Sequence, residues 1–565
     1  MKKLINDPRN VVREMLEGLV DLNPGLALLD GEAVVLRSDL PSLAVRKVAV
    51  ISGGGSGHEP AHGGYVGAGL LTAAVAGDVF TSPSVDAILA AIRASAGPAG
   101  AVLVVKNYTG DRLNFGLAAE LARQEGIPVE IVVVADDVSL RDLVPEDRRR
   151  GVAGTVLVHK VAGAAAEAGK PLAEVARLAR EAAGALGTMG VGLGACTVPA
   201  AGAPGFSLGE DEIELGLGIH GEKGVERCSI RSADAIVETM LGTILADRKL
   251  ETNARVALLV NGLGATPPME LSIVARRALG YLRERGIVVE RAWCGNFLTA
   301  LDMPGCSLSV LELDDERLGL LDAPAQAPAW VPGQAVKPQR TLAPKASSAE
   351  TGVGEIARGP LSDKLRQAAH AVAAALEEAE AKLTELDSQA GDGDLGASMR
   401  RGAEAIRALP DSSWATPETA FASVGNAFRR AIAGSSGPFY ATALLRASRQ
   451  VAGKPVPDGG AWDAAFAAAV AAVTEIGGAK PGDRTMVDAL VPAHQAWVEA
   501  RKNGSPAAVA WHACVTAAEK GAEATSSMSP KLGRAAYLGQ RAVGFPDGGA
   551  VAVATWLRAL SPYVG

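Results

Sequence analysis

A chain of 565 residues has room for three to four domains at about 150 residues each, and with 48% apolar and 21% charged residues it is not disordered. Sixty-three acidic against 55 basic residues leave a formal charge of −8, so a general attraction for nucleic acid or anionic membrane is excluded and any phosphate must be held locally. Glycine is frequent (66 residues) and aromatics are rare (4%), which favours close-packed helices and glycine-rich turns over an aromatic-cored β-sandwich.

The first part alternates β-branched runs with Ala-rich stretches. Strands are expected at Val45–Ile51, Ala101–Lys106 and Val129–Ala135, and a long helix over Val158–Leu186. Strands at Gly190–Val198 and Glu212–His220 lead to a second series, Arg255–Val260, Ile287–Cys294 and Ser307–Leu313, with a helix at Met269–Arg285. This predicts two α/β parts, 1–185 and 186–322, in which ligands gather at strand ends. Prolines 324, 328, 332, 338 and 344 then mark a semi-extended linker over 323–357. From 358 to 565 the strand signal vanishes. Helices are expected at Leu361–Leu386, Gly396–Leu409, Pro417–Ala433, Tyr440–Gln450, Ala461–Ile476, Met486–Lys502, Ala507–Gly521 and Ala550–Leu560, an all-α domain of about eight helices.

Five scattered cysteines, Cys196, Cys228, Cys294, Cys306 and Cys514, form no C-x-x-C pair and suit a reducing compartment. No segment reaches the ~18 uninterrupted apolar residues of a membrane span. A soluble, cytoplasmic protein is expected.

Four clusters could carry chemistry. Ser52-Gly53-Gly54-Gly55-Ser56-Gly57-His58-Glu59-Pro60 follows a strand; its glycines let backbone approach a small ligand, although a tight strand–helix turn would also use them. It is neither a Walker A loop nor G-x-G-x-x-G. Lys106-Asn107-Tyr108-Thr109-Gly110-Asp111 stands at a strand end; Asp111 could take a hydroxyl proton with Lys106 beside it, or the stretch is a solvated loop. His220 sits among glycines in GLGIHGEKG, either structural or an accessible base and nucleophile toward carbonyl carbon. The sharpest cluster is Asp387, Asp392 and Asp394 in DSQAGDGDLG: three carboxylates repel one another unless a cation sits among them, and oxygen-only ligation suits Mg²⁺. Nearby glycine-rich helix entries at Gly434–Pro438 and Gly477–Met486, with Arg534 and the Asp547-Gly548-Gly549-Ala550 turn, suggest a nucleotide held with Mg²⁺ but without a P-loop.

In their order, GGGSGHEP, KNYTGD, GLGIHGE, the D-x4-D-G-D triplet, GSSGP, PGDRTM and the Asp547 turn resemble the ATP-dependent single-chain dihydroxyacetone kinases, from about residue 10 to the C-terminus. The resemblance implies a two-part α/β substrate domain followed by a helical-barrel nucleotide domain. It implies that His220 adds to a ketone carbonyl to hold the substrate as a hemiaminal, and that Gly53, Gly54, Ser56, Lys106 and Asp111 line the substrate. Asp111 would be the base, with His58 sharing that proton task. Asp387, Asp392 and Asp394 would bind Mg²⁺, while Leu395, Gly396, Ala397, Ser398, Ser435, Ser436, Gly477, Met486, Arg534, Asp547, Gly548 and Gly549 would hold ATP. The expected reaction is phosphorylation of dihydroxyacetone by free ATP, in a homodimer with no nucleic-acid or membrane partner. The alternatives are a kinase for erythrulose or another C3–C4 carbonyl sugar, and a non-catalytic ligand-sensing coregulator. Two departures stand out: Leu395 where relatives often carry a polar or small residue, and Phe-Pro-Asp-Gly-Gly-Ala at the late turn. Some relatives also cyclise FAD with Mn²⁺, a side activity the sequence leaves open.

Overall fold

The alternation of β-branched and Ala-rich segments builds two sheets in one unit. The computed structural model describes residues 2–337, 341–342, 358–532, 534–537 and 539–564. The first sheet has the order β1-β2-β4-β3-β5-β6, formed by β1 (Leu26–Leu28), β2 (Val34–Arg37), β3 (Ala49–Ser56), β4 (Ala73–Val79), β5 (Ala101–Lys106) and β6 (Val129–Val134). Strands β3 to β6 pair in parallel, and β1 and β2 add an antiparallel edge. The second sheet has the order β13-β11-β10-β12-β7-β8-β9: β7 (Leu186–Gly192), β8 (Glu212–Leu215), β9 (Glu226–Ser229), β10 (Arg255–Gly262), β11 (Val288–Gly295), β12 (Gly305–Glu312) and β13 (Gln334–Ala335).

Helices α1 (Val11–Leu22), α2 (Val85–Ser95), α3 (Thr109–Gln124), α4 (Thr155–Glu167), α5 (Leu172–Gly184), α6 (Ala233–Arg248), α7 (Pro268–Glu284) and α8 (Asp315–Asp322) pack on these sheets. Helix α4 is buried from Thr155 to Ala166, its two titratable members His159 and Lys160 included. One core cluster joins Val50, Val102 and Val104 of the first sheet, Val161 and Ala165 of α4, Ala179 of α5, and Ala257, Leu259 and Leu311 of the second sheet. The two sheets therefore share a core.

Several boundaries differ from the sequence reading, among them β3, which runs Ala49–Ser56 where Val45–Ile51 was expected. The helix expected over 158–186 is two helices, because Gly169 at φ +75° and Pro171 end one and start the next. Strand β7 begins at Leu186, four residues before the expected start. The proline-rich stretch begins on the first unit: Gln326 bridges Ala68, Ala329 N–H donates to Gly64 O at 2.9 Å, Trp330 is buried against Trp293, and β13 pairs with β11. Residues 338–340 and 343–357 of the expected linker lie outside the described residues.

The second unit is helical. Its described residues form α9 (Ser362–Glu378), α10 (Glu380–Ala390), α11 (Leu395–Arg407), α12 (Pro417–Ala431), α13 (Ser436–Gln450), α14 (Gly459–Gly477), α15 (Val487–Lys502), α16 (Ala507–Ala524) and α17 (Gly548–Ala559). The expected helix 361–386 breaks at Ala379, so nine helices replace eight; no Gly or Pro marks the break. Asp458 and Thr416 cap α14 and α12 through hydrogen bonds to Ala461 N and Thr419 N. The helices surround an apolar cavity of about 580 Å³ lined by residues such as Phe428, Trp462 and Trp511.

Two glycines give opposite expectations. A methyl group at Gly163 in α4 would meet the Leu70 backbone at 2.4 Å, whereas Gly116 in α3 has nothing within 4 Å. Gly163→Ala should destabilise by about 1–3 kcal/mol through overpacking. Gly116→Ala should stabilise by about 0.4–1 kcal/mol through the unfolded chain. Denaturant melts of both variants check the pair, and equal signs would contradict this packing.

Candidate active site

The glycine run that the sequence places just after a strand, where its backbone could approach a ligand, lies inside β3. Its glycines are required by neighbours: a side chain on Gly53 would strike Val75 O at 2.3 Å, and one on Gly54 (φ +153°) would strike Lys106 Nζ at 2.4 Å. Ser56 is buried and donates to Gly77 O at 2.7 Å. Only at Gly57 does the chain leave the sheet and deliver His58.

His58 is fully buried. Its Nδ1 lies 2.7 Å from Thr299 O, and its Nε2 lies 3.0 Å from Nε2 of His220. Thr299 follows β11 and is tied to the His58 loop, with Thr299 N–H donating to His58 O and Leu301 N–H to Gly57 O. His220 is not on a strand, since β8 ends at Leu215; it sits in a turn between Gly216 and Gly221, both at positive φ. Glu222 folds back to it, accepting from His220 N at 3.0 Å and facing Nδ1 at 3.1 Å. Gly218 leaves room for this, because a Cβ there would fall 2.0 Å from Glu222 Oε2. Arg150 steadies the turn, donating to Gly216 O at 2.7 Å and to Asp137 at 2.8 Å. Phe80 stacks on His58 with centroids 5.1 Å apart, and Tyr108 meets His220 edge-on at 4.6 Å.

These contacts decide where protons sit. A carbonyl can only accept, so His58 carries its proton on Nδ1 and offers a bare Nε2. Burial, then the charges of Lys106 and His220, hold His58 well below the ordinary histidine range and keep it neutral. Burial works against the charge of Glu222, but the hydrogen bond from His220 and that ring's charge outweigh it and bring the carboxyl down to about 2. Lys106 ends β5, and Asp111 lies in the first turn of α3, where the helix dipole favours a carboxylate. Asp111 accepts from Ser82 Oγ and attracts the Lys106 charge.

In the helical unit, carboxylate oxygens of Asp387, Asp392 and Asp394 lie within 4.8 Å of one another. Asp387 also accepts from the backbone N–H of Asp394 and Leu395, at 2.9 and 3.3 Å. Three carboxylates offering only oxygen fit Mg²⁺. Around them the starts of several helices come close together. A Cβ on Gly548 would lie 2.8 Å from Leu395 and one on Gly549 3.5 Å from Met486, while the charge of Asp547 is felt from Asp387 and by Tyr440 in α13. The N-termini of α11, α13, α15 and α17 thus gather, an arrangement suited to phosphate. Arg484 is buried beside Asp547, donates to Thr525 O and Phe545 O, and leaves Nη1 unpartnered among the described residues. Burial, with the like charges of Asp488 and Asp387 adding, pushes Asp547 up to about 6.

Residues 17–329 match the Dak1 domain and residues 389–562 the DAK2 domain. The chain is 35% identical to the dihydroxyacetone kinase of C. freundii in complex with AMP-PNP and Mg²⁺, with a TM-score of 0.64 and 99% of both chains covered. The chain belongs to the dihydroxyacetone kinase family. Other relatives are the Homo sapiens triokinase/FMN cyclase, 44% identical over 99% of this chain and 98% of that protein, and the D-erythrulose kinase of Mycolicibacterium smegmatis, 37% identical over 100% and 99%. The protein is a phosphotransferase, with an α/β part followed by a helical part.

Within that frame, the α/β unit brings together His58, His220, Lys106 and Asp111, with Gly54 beside Lys106. The helical unit gathers Asp387, Asp392, Asp394, Leu395, Met486 and Asp547 to Gly549. Gly396 and Ala397 lie in the first turn of α11, where Gly396 lets Glu380 O approach, and Ser398 is buried and accepts from Arg401. Ser435 and Ser436 open α13, and Gly477 ends α14 against Phe439. The side chain of Arg534 lies outside the described residues. Glu222, Thr299, Arg150 and Arg484 were not singled out from the sequence. Glu222 had a signal, a carboxylate two residues after the histidine; the others are distant in sequence from what they hold.

Glu222→Gln keeps the shape of the turn but removes the charge that faces His220. It should lower kcat/KM roughly 10²- to 10⁴-fold, as loss of a carboxylate orienting an imidazole does. Steady-state kinetics check this, and an unchanged kcat/KM would contradict the role.

Proposed function

We infer that the protein transfers the γ-phosphoryl group of ATP to a hydroxyl of a short ketose, dihydroxyacetone in the first place. The observation that carries this reading is the imidazole pair, His58 Nε2 facing His220 Nε2 at 3.0 Å with Glu222 behind His220 Nδ1. Because the Nε2 of His58 is bare, His220 donates there, and the Glu222 carboxylate asks for a second N–H at Nδ1. When a ketone carbon approaches, His58 takes the Nε2 proton and the freed lone pair of His220 adds to that carbon. His58, too buried to keep the charge, returns the proton to the new alkoxide oxygen. The product is a tetrahedral hemiaminal whose ring charge stays opposite Glu222. Glycerol has no carbonyl and fails this test.

Asp111 then accepts the proton of the attacking hydroxyl, while the Lys106 ammonium offsets negative charge nearby. In the helical unit, Asp387, Asp392 and Asp394 hold Mg²⁺, which neutralises phosphate charge. The gathered helix N-termini and Arg484 position the ATP phosphates; phosphoryl transfer is mainly positioning and charge neutralisation. The tethering of both domains in one chain supports free ATP as the donor. A second reading, a four-carbon ketose as preferred substrate, is favoured by the similarity to D-erythrulose kinase; one methylene changes selectivity by only ~1–3 kcal/mol. A homodimer is proposed from the family resemblance, and a cytoplasmic location from the five free cysteines. Among the described residues no helix is long and apolar enough to cross a membrane.

Purified protein with Mg-ATP should phosphorylate dihydroxyacetone without any carrier protein, and kcat/KM values for it and both erythrulose enantiomers rank the two readings. Native mass spectrometry should show a ketose adduct that His220→Ala abolishes. Asp394→Asn should keep the adduct but lose at least about 10²-fold in turnover, as removal of a phosphate-neutralising group does. An adduct persisting in His220→Ala would sink the hemiaminal, and normal turnover in Asp394→Asn would sink the metal assignment.

A further inference from the structure

Behind the substrate side of Lys106 runs a line of buried polar groups that the reaction described above does not use. Lys106 Nζ lies 2.7 Å from His62 Nε2. His62 Nδ1 lies 3.5 Å from Ser52 Oγ, and His159 Nε2 lies 3.1 Å from the same oxygen. Ser52 Oγ donates to Val104 O at 2.7 Å. Lys106, Ser52 and His159 are fully buried and His62 is nearly so. They come from β5, β3, α4 and the loop after β3, so no local spacing announces them.

The direction of the line follows from its far end. A backbone carbonyl only accepts, so the Ser52 hydroxyl proton points at Val104 and its oxygen is left to accept. Both histidines therefore donate to Ser52, His159 from Nε2 and His62 from Nδ1. His159 consequently has its bare nitrogen at Nδ1, which has no partner among the described residues. A buried acceptor with nothing to accept is costly, and it is tolerated here because the other nitrogen must face Ser52. With Nδ1 protonated, His62 presents a bare Nε2 to Lys106. That nitrogen can only receive a proton from the lysine, and so it favours the ammonium over the amine.

We propose that His62, its tautomer set by Ser52 and His159, is the positioning residue that keeps Lys106 charged and turns its remaining N–H groups toward the substrate. This deepens the reading of the site given above and rests on it. Without an acceptor the lysine would be in trouble: burial alone drives it toward the neutral amine. The groups that face it are His62, His58, His159 and Asp111. Burial, and after it the Lys106 charge, lowers His58 and His62 well below the usual range and His159 to about 3, so all three stay neutral. Asp111 supplies the one opposite charge. Gly54 completes the arrangement, since any side chain there would occupy the place of the ammonium.

The test is the pH profile of kcat/KM for dihydroxyacetone with saturating Mg-ATP in wild type, His62→Leu, His62→Gln, Ser52→Ala and Lys106→Met. Leu fills the space and keeps water out but accepts no hydrogen bond. In His62→Leu the alkaline limb should move down by about 1–2 pH units, the size expected for losing one hydrogen bond to a charged group. Gln places an amide oxygen near the position of Nε2 and should restore most of that shift. Ser52→Ala, which leaves His62 in place but frees its tautomer, should move the limb the same way by less. A purely structural role would lower kcat/KM at every pH without moving the limb. An unmoved limb in both His62→Leu and Ser52→Ala, or His62→Gln no better than His62→Leu, would overturn the proposal. Failure of the wild type to phosphorylate the ketose, or an unchanged profile in Lys106→Met, would instead remove the underlying reading of the site.

Discussion

Two imidazoles from different sheets meet at 3.0 Å, His58 beyond β3 and His220 beyond β8, and most of the α/β unit serves to hold that contact. A pair of ring nitrogens at that distance tolerates little error in either loop. His58 is fixed by Thr299 from the second sheet, His220 by Glu222 and, through Gly216, by Arg150. These anchors can act together because α4 and α5 lie in a core shared by both sheets. Were the sheets separate domains joined by a flexible segment, a 3.0 Å contact between their loops would have to be repurchased in entropy at each encounter.

The same burial sets the charge pattern. Groups removed from water give up charge unless something opposite faces them. Lys106, the other histidines and, for His58, His220 bring no opposite charge to His58, His62 and His159, which stay neutral, whereas Glu222 is ionised by the ring it holds. Lys106 is charged between a carboxylate and a neutral acceptor. The result is a pocket with Lys106 beside a carboxylate and a neutral acceptor, and with one imidazole, His220, facing the bare nitrogen of another, His58. The helical unit solves a different problem by a different route. It gathers helix N-termini and a carboxylate triplet, groups suited to phosphate and to a divalent cation, in a chain whose net charge is negative.

What could be read from the sequence follows from what is local. Asp387, Asp392 and Asp394 fall within eight residues, and their repulsion is legible without coordinates. The strand ends carrying Lys106 and the helical character of the C-terminal part were equally plain, because periodicity reports them directly. Long-range approaches were not. Gly53 and Gly54 look like a loop beyond the strand until Val75 O and Lys106 Nζ are seen beside them. His62, Ser52 and His159 belong to three segments that meet only when β3, β5 and α4 pack. The break at Ala379 has no composition signal at all, and Pro324 to Ala335 continue the first unit because Trp330 finds Trp293.

The central claim is that the carbonyl carbon of the ketose becomes tetrahedral on His220 before phosphate is transferred. A ¹³C spectrum of dihydroxyacetone labelled at the carbonyl, bound to the protein without ATP, reads that carbon directly. The account predicts that its ketone resonance is replaced by one typical of a carbon bearing oxygen and nitrogen, and that this signal is lost with His220→Ala. A bound ketone resonance that persists in the wild-type complex would contradict it.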